Sequence, residues 1–467
     1  MPITPGPGAR PLARGKKTAA AIRQEVAEEV DRFLRLVFYA RRTRGGLDLE
    51  AVEMALRSAL HQAGAAALGE LLKQDPPPPE QRTRPCPCGS AAVYYELRAK
   101  TILTAVGAVE LLRPYFRCSH CHRGQFPLDV ELDVADTEFS PGVRRMLGVV
   151  GSDAPFGKGR EQMKLLADLE VTTKAVERTA EALGADIAAR EQREITRARQ
   201  LDLPIPVGPP IPVLYIEFDG TGVPVVKRET EGRQGKVDGQ PAHTREAKLS
   251  CVFTQTTVDE QGRPVRDEAS TTYTGAIETA EQFARRIYSQ AWQCGWSRAR
   301  KKVVLGDGAE WIWNISQQCF PEAIEIVDLY HARQHLWDLA RKLYPGDQVR
   351  QKRWLISKLD KLEDGKMERL VAVLRSIQPA TSEQAERLRL EADYFEKNAE
   401  RMRYPEFRRQ GLFVGSGVIE AGCRTVIGSR LKQSGMFWTV RGANALIALR
   451  CNRLSGRFED YWESRRA

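Results

Sequence analysis

Short apolar runs rich in β-branched and aromatic residues recur through the second half of the chain, and each ends at glycine or a polar turn. Such runs are typical of buried strands. They predict strands at 213–219, 248–258, about 269–275, 302–307 and 323–328. Helical spacing of apolar residues predicts a helix from Ala280 to about Gln293, between the third and fourth strands. This succession of elements is the order of a ribonuclease H-like α/β core.

A long stretch rich in helix formers, residues 329–410, interrupts the α/β pattern. It predicts a helical insertion within the core. The residues expected to form the interior of this insertion are Leu336, Leu339, Leu343, Trp354, Leu355, Leu359, Leu362, Leu370 and Leu374.

Helical spacing also dominates the region before the α/β pattern. In residues 19–75 apolar positions recur at helical intervals, and Asp48 is placed to cap a helix that carries Val52 and Leu56. The proline run that starts at Pro76 is expected to be a stiff extended spacer. It predicts a boundary before the next module.

Residues 161–184 have the pattern of a helix, a short turn and a second helix, with Thr172 as N-cap and Gly184 as C-cap. This order suits a helix-turn-helix that would place Lys174 and Arg178 toward the major groove of DNA. Any two short amphipathic helices give the same pattern. The DNA-reading and the purely structural interpretation therefore both stand.

Four of the nine cysteines lie in two knuckles, Cys86-Pro-Cys88 and Cys118-Ser-His-Cys121, on either side of a strand-like stretch. Two knuckles joined by a β hairpin form a zinc ribbon, because four thiolates complete a tetrahedral Zn²⁺ site. The Cys-x-Cys spacing of the first knuckle is tight, so His120 or His122 could replace a thiolate. Free, reduced cysteines are the alternative. The other five are scattered and are expected to be small buried hydrophobic residues.

Basic and aromatic residues separate the two knuckles and suggest a surface for nucleic acid. They are Tyr94, Tyr95, Arg98, Lys100, Arg113, Tyr115 and Arg117.

The composition is that of a soluble globular protein with an excess of basic over acidic residues. The 467 residues include 71 Lys and Arg against 61 Asp and Glu, a net charge of +10 that favours a polyanionic partner. Neither a membrane-spanning apolar run nor a signal-peptide core is seen, so a cytoplasmic, nucleoid-associated location is expected. The whole pattern gives the following layout: a disordered basic arm 1–18, N-terminal helices 19–75, a zinc ribbon 80–130, a helix-turn-helix-like region 138–200, and an α/β core 211–467 with the insertion at about 329–410.

Three acidic residues stand at positions that could converge. Asp219 and Asp307 each end an apolar strand beside glycine, and Glu420 lies in the first turns of a helix that opens with Gly-Ser-Gly. Mg²⁺ takes oxygen ligands, and a pair of such ions about 3.5–4 Å apart promotes phosphodiester cleavage. A single acid in such a place is more commonly a turn residue or a helix cap.

Further candidates lie around these acids. Asp328, His331 and His335 fall on one helical face and are candidates for a supporting role near the active site. The basic residues proposed to contact phosphate are Lys432, Arg441 and Arg450, and Trp438 is a candidate for stacking on a splayed base. Cationic helix ends and a core tryptophan are the structural alternatives.

Several of these segments resemble the ISKra-type transposases of bacterial insertion sequences, within the mutator-like DDE transposases. The segments are Asp219-Gly-Thr-Gly-Val-Pro224, Leu305-Gly-Asp307-Gly-Ala309, Asp328-x-x-His331, Gly415-Ser-Gly-Val-Ile-Glu420 and Arg430-Leu-Lys-Gln-Ser-Gly-Met-Phe-Trp438. The resemblance extends over nearly the whole chain, although the Cys86-x-Cys88 knuckle is shorter than the family's usual one.

The resemblance implies a catalytic triad of Asp219, Asp307 and Glu420 that uses Mg²⁺ or Mn²⁺, with Asp328 and His331 as its Asp-x-x-His signature. It also implies double-stranded DNA as partner, both the terminal inverted repeats of an element and target DNA, bound by a homo-oligomer. Two alternatives remain open from the residues alone: a ribonuclease H-like nuclease without strand transfer, and a non-catalytic DNA-binding protein.

Overall fold

The computed structural model describes residues 48–200, 206–235 and 241–465, together with scattered helical positions between 20 and 35. The predicted basic arm, 1–18, lies outside the described residues. The chain forms two compact units that divide between Thr179 and Ala180. Within the described residues, no helix has the length and apolar character needed to cross a lipid bilayer.

The first unit pairs a helix with a four-stranded antiparallel sheet. Helix α1 (Leu49–Leu71) begins at Asp48, whose side chain accepts the Ala51 N–H at 3.2 Å, as the sequence predicts. The sheet has strands in chain order: β1 (Thr83–Pro85), β2 (Ala91–Thr104), β3 (Gly107–Cys118) and β4 (Gly124–Gln125). Buried Ile102, Val109 and Leu111 of the β2–β3 hairpin pack against apolar residues of α1.

Four helices follow the sheet: α2 (Pro127–Glu131), α3 (Pro141–Asp153), α4 (Phe156–Ala167) and α5 (Thr173–Arg199). Val143, Leu147, Met163 and Val176 form the buried core that holds α3, α4 and the start of α5 together. The hydroxyl of Thr172 accepts the Ala175 N–H at 3.0 Å, which confirms the predicted N-cap.

The second unit is built on a five-stranded mixed sheet. Its strands are β5 (Ile211–Pro224), β6 (Thr244–Gln255), β9 (Thr272–Ala276), β10 (Ala299–Gly306) and β11 (Ile324–Val327), and a hairpin of β7 (Thr257–Val258) and β8 (Pro264–Val265) stands apart. The order across the sheet is β11-β10-β5-β6-β9. β5, β6 and β9 run antiparallel to one another in turn, whereas β10 and β11 run parallel to β5. The five predicted strands are all present in this sheet.

Helices α6 (Ala280–Gln293) and α7 (Glu310–Cys319) cover one face of this sheet. α6 has the bounds predicted from its pattern and starts with a capping box between Thr279 and Gln282. The ring of Phe218 in β5 lies 6.5 Å from that of Phe283 and 5.8 Å from that of Trp311. Because alternate residues of a strand face opposite sides, Glu217 and Asp219 lie on the other face.

The insertion is helical, as predicted, with α8 (Leu329–Leu343), α9 (Gln348–Glu363), α10 (Met367–Ser376), α11 (Ser382–Lys397) and α12 (Tyr404–Arg409). Seven of its nine predicted core residues are buried, and Leu343 and Leu359 are partly exposed. The Leu329 N–H bonds to the carbonyl oxygen of Val414 at 2.9 Å. The insertion therefore leaves the sheet and returns to it at adjacent points.

The chain ends with α13 (Gly417–Gly422), a π-helical stretch (Cys423–Gly428), α14 (Ser429–Leu431), α15 (Val440–Leu454) and α16 (Phe458–Ser464). The predicted C-cap at Gly184 is wrong, because α5 continues through it to Arg199. A Cβ atom at position 184 would lie 1.9 Å from the carbonyl oxygen of Ala445 in α15. The glycine thus permits the close approach of two helix backbones and does not end a helix.

We expect Gly184→Ala to destabilise the second unit by about 1–3 kcal/mol or more, because the added methyl group meets backbone that cannot turn away. Gly417→Ala is the matched control, since a Cβ atom at this helical glycine meets nothing within 4 Å. Chemical denaturation of the two variants measures the difference. Equal stabilities would contradict the close approach of α5 and α15.

Candidate active site and cysteine cluster

Three acidic residues lie side by side on adjacent parallel strands of the second sheet: Asp219 within β5, and Asp307 and Asp328 directly after β10 and β11. The predicted end of the strand at Asp219 is wrong, because β5 continues to Pro224. The pairing of Leu305 with its neighbours in β5 and β11, continued to the strand ends, sets Asp219, Asp307 and Asp328 abreast. Neighbouring strands lie about 4.8 Å apart, and residues in register share a face. Two of the three predicted catalytic acids, Asp219 and Asp307, are therefore neighbours on one face.

The charges of these two acids interact. Asp219 is largely buried; burial raises the pKa of its carboxyl group, the Gly220 N–H at 2.6 Å opposes that rise, and the negative charge of Asp307 adds to it. Asp307 accepts the Ala309 N–H at 2.9 Å. A buried carboxylate beside a second negative charge is stabilised when a cation binds next to it.

Glu420 is exposed on α13, which lies over β5 and β6. Its Oε1 atom is 3.5 Å from the hydroxyl oxygen of Ser416. Cys423, three residues further along the same side of the helix, hydrogen-bonds the side chain of Asp219. The side of the helix that carries Glu420 therefore faces the other two acids, just before the π-helical stretch.

The three carboxylates do not form a tight cluster. Within the described parts of the chain, the group of three or more ligand atoms that all lie within 4.8 Å of one another consists of cysteines. Asp219 and Asp307 form the fixed part of the acidic site, and Glu420 stands at its solvent side.

Asp328 is fully buried and joins two segments of the site. One carboxylate oxygen accepts the N–H of His331 at 2.6 Å and caps α8, and the other accepts the N–H of Ser416. Both oxygens are thus engaged in hydrogen bonds to the main chain. Asp328 consequently ties the start of the insertion to the segment that leads into α13.

Asp328, His331 and His335, which the sequence predicted on one helical face, do not all take part in the site. The rings of His331 and His335 lie 5.0 Å apart, but Nδ1 of His335 is 2.7 Å from Oε2 of the buried Glu391. The ring of His335 also stacks on Tyr394, with centroids 4.0 Å apart. His335 therefore belongs to the packing between α8 and α11.

Tyr394 is a residue of the site that the sequence did not reveal. Its hydroxyl donates to the main-chain oxygen of Asp307 at 3.1 Å. The next residue, Gly308, has a φ of +96°, and a Cβ atom there would lie 2.6 Å from that hydroxyl. Tyr394 thus fixes the turn that presents Asp307, through a contact between segments 87 residues apart that no local pattern marks.

Glu217 is the second such residue, and it lies two positions before Asp219 in β5. It is completely buried, and burial raises the pKa of its carboxyl group to about 8, against the effect of the Ile419 N–H that it accepts at 2.9 Å. The thiol of Cys251 also lies 3.8 Å from the same oxygen. A single acid inside an otherwise apolar strand was the signal that could have identified it.

Four of the residues predicted to contact DNA are exposed. Lys174 and Arg178 lie on the first turns of α5, where Lys174 forms an ion pair with Glu177 at 2.7 Å. Lys432 hydrogen-bonds the hydroxyl of Thr221, which lies two residues after Asp219 in β5. Arg441 lies at the start of α15.

Trp438 and Arg450 are instead part of the protein interior. Trp438 is 7% exposed, and its indole N–H donates to the carbonyl oxygen of Leu431 at 3.0 Å. Arg450 donates to the carbonyl oxygens of Val426 at 2.7 Å and Thr425 at 2.6 Å, in the π-helical stretch. The ring is therefore unavailable for the predicted base stacking, and the guanidinium is unavailable for the predicted phosphate contact.

The four predicted zinc ligands, Cys86, Cys88, Cys118 and Cys121, meet in the first unit. Their sulphur atoms lie within 4.8 Å of one another, with 3.5 Å from Cys86 to Cys121 and 3.7 Å from Cys88 to Cys118. A tetrahedron with Zn–S bonds of about 2.3 Å has edges of about 3.8 Å. The donor set fits a metal without a histidine.

Hydrogen bonds among the four thiols favour one of them as thiolate. The N–H of Ser90, followed by the neighbouring thiols, lowers the pKa of Cys88 to about 5, whereas the Arg123 N–H lowers and the thiols of Cys86 and Cys88 raise the pKa of Cys121, to about 11 in balance. A thiolate is the form that binds metals. Gly89, with a φ of +87°, allows the first knuckle to turn back so closely.

Part of the basic surface between the knuckles holds this module together. Lys100 and Arg113 both pair with the buried carboxylate of Asp129. The guanidinium of Arg98 lies 3.7 Å above the ring of Tyr115. Lys100 and Arg113 therefore have internal partners.

No family model matches the chain, and no curated protein matches it. Among solved structures, the chain is similar to the Drosophila P element transposase strand transfer complex, with 9% identity and a TM-score of 0.23. That alignment covers 72% of this chain and 84% of the other. A TM-score this low does not establish a shared fold.

Proposed function

We propose that this protein is the DNA transposase of a bacterial insertion sequence, of the ISKra type, with a ribonuclease H-like core. The observation that carries the proposal is the placement of Asp219 and Asp307 abreast on parallel strands, beneath the helix that bears Glu420. The strand order supports it. In chain order the sheet runs third, second, first, fourth, fifth, and the last two strands are parallel to the first.

Asp219, Asp307 and Glu420 form the catalytic triad of this proposal. Their oxygen atoms are the donors that Mg²⁺ or Mn²⁺ prefers. When bound, a pair of these ions supplies an activated hydroxyl and stabilises the leaving oxygen. The burial of Asp219 and the negative charge of Asp307 beside it favour a cation at this place.

The protein's own groups hold the DNA in the proposed reaction. Lys432, beside Thr221 of β5, neutralises a backbone phosphate, and Arg441, Lys174 and Arg178 contribute further phosphate contacts. Water attacks the phosphorus at the element's end, the P–O3′ bond breaks, and a 3′-hydroxyl is freed. That hydroxyl then attacks a phosphorus of target DNA, whose own P–O3′ bond breaks and leaves a 3′-hydroxyl on the target strand. A homo-oligomer that brings two element ends together completes the proposal.

The cysteine cluster holds a structural Zn²⁺ in this proposal. The sulphur spacing and the closed four-thiolate set support a structural ion, because a catalytic zinc keeps one position open. His331 and Asp328 support the catalytic acids without touching substrate.

We expect Asp219→Asn and Glu420→Gln each to reduce cleavage of a labelled element end by at least about 100-fold, because each removes a charged ligand. Cleavage and joining are measured on gels with Mg²⁺ or Mn²⁺. Glu322→Gln, which changes an exposed acid paired with Lys302, is the control and should cleave normally.

Each outcome of that assay has a meaning. Cleavage without joining would identify a nuclease, and DNA binding without cleavage would identify a non-catalytic DNA-binding protein. Normal activity of either triad variant would overturn the assignment of that residue.

We expect the purified protein to hold one Zn²⁺ per chain and Cys118→Ser to lose it, because the buried Cys118 sulphur is one of four ligands. Mass spectrometry of metals in the purified protein measures the content. Cys319→Ser, which changes a cysteine outside the cluster, should retain the ion. A zinc-free unmodified protein that keeps its fold would contradict the proposal.

A further inference from the structure

Glu217 occupies a place where an ionisable side chain is costly. The residue is 0% exposed, and it lies in the middle of β5 between Ile216 and Phe218, which are also fully buried. Its Oε1 atom has no hydrogen-bond partner. An apolar residue of similar size would fill this place without the penalty of burying a polar group. Stability alone therefore does not explain why an acid stands here.

A main-chain contact of its carboxyl group points to a role. Oε2 accepts the N–H of Ile419, the residue directly before Glu420, at 2.9 Å. The first turn of a helix has N–H groups without partners in the helix, so an acceptor in the sheet can fix where the helix starts. Glu217 thereby links the strand that carries Asp219 to the helix that carries Glu420.

A second buried acid holds the same segment three residues earlier. Asp328 accepts the N–H of Ser416. Gly417 and Val418 lie between Ser416 and Ile419, the two residues whose N–H groups are held. Glu217 lies in β5 and Asp328 directly after β11 of the same sheet, so the two anchors fix both the position and the rotation of the start of α13. α13 continues without a break through the π-helical stretch into α14, so this start sets the direction of the helical segment from Gly417 to Leu431.

We propose that Glu217 is a positioning residue: its bond to the Ile419 N–H sets the distance of Glu420 from the Asp219–Asp307 pair and so the affinity of the site for divalent metal. This inference rests on the proposed function of the three acids. In this proposal Glu217 itself touches neither metal nor DNA. Asp328 anchors the other end of the same turn.

The test compares Glu217→Leu, which fills the space but removes the acceptor, with Glu217→Gln, which retains an acceptor oxygen. Tyr215→Phe is the matched control, because it removes a buried hydroxyl from the same face of β5 that bonds to Phe413 and Gln255, outside the α13 turn. Three quantities are measured for the full chain. They are Mn²⁺ affinity by calorimetry, hydrogen exchange of residues 416–423, and the Mg²⁺ concentration for half-maximal cleavage.

We expect Glu217→Leu to weaken Mn²⁺ binding and raise the half-maximal Mg²⁺ concentration by about 10-fold or more, as for other groups that orient metal ligands. Cleavage at saturating Mg²⁺ should recover. Exchange at the Ile419 amide should accelerate by about 10-fold, since a buried hydrogen bond is lost. Glu217→Gln and Tyr215→Phe should keep the metal affinity of the unmodified protein.

The outcomes separate the inference from the function on which it rests. If the unmodified protein cleaves and Glu217→Leu binds Mn²⁺ equally well, the positioning role is overturned and the transposase proposal stands. If the unmodified protein binds Mn²⁺ but does not cleave, the transposase proposal fails, and the Mn²⁺ affinities still decide the role of Glu217. If the unmodified protein binds no Mn²⁺, both the positioning role and the transposase proposal fail. A Glu217→Leu variant that unfolds leaves the decision to Glu217→Gln and Glu217→Asp, which must then differ in metal affinity.

Discussion

The parallel pairing of β10 with β5 is the constraint on which the rest of the second unit depends. It places Asp307 beside Asp219, and the pairing of β11 with β10 places Asp328 beside Asp307. A slip of one residue would turn either acid to the opposite face, where α6 and α7 cover the sheet. The close packing of the buried side chains of β5 and β10 opposes that slip.

The elements of the core were predictable from sequence because their signals are local. Buried-strand patterns identified five strands, and the caps at Asp48 and Thr172 follow rules that span only a few residues. Asp219 and Asp307 were predictable for the same reason, since each comes at the end of an apolar run in the sequence.

The residues that sequence missed or misread depend on partners far along the chain. Gly184 meets Ala445, and Tyr394 meets the turn of Asp307; neither contact leaves a local trace. Trp438 follows a basic segment, which suggested stacking, but its main chain pairs with the end of β5 and buries the ring. Only Glu217 carried a visible signal, a lone acid within an apolar run.

Leu329 and Val414 are adjacent although they lie at the two ends of the insertion. The length of the insertion can therefore change without altering the geometry of the sheet. Since the core meets only the two closely spaced ends, and since loop-closure entropy changes slowly with length, helices could be added or removed far from the ends at little conformational cost. The stretch around Tyr394 is the exception, because it returns to touch the turn of Asp307. Evolutionary change in length is therefore expected in α9 and α10, with α8 and α11 kept in place.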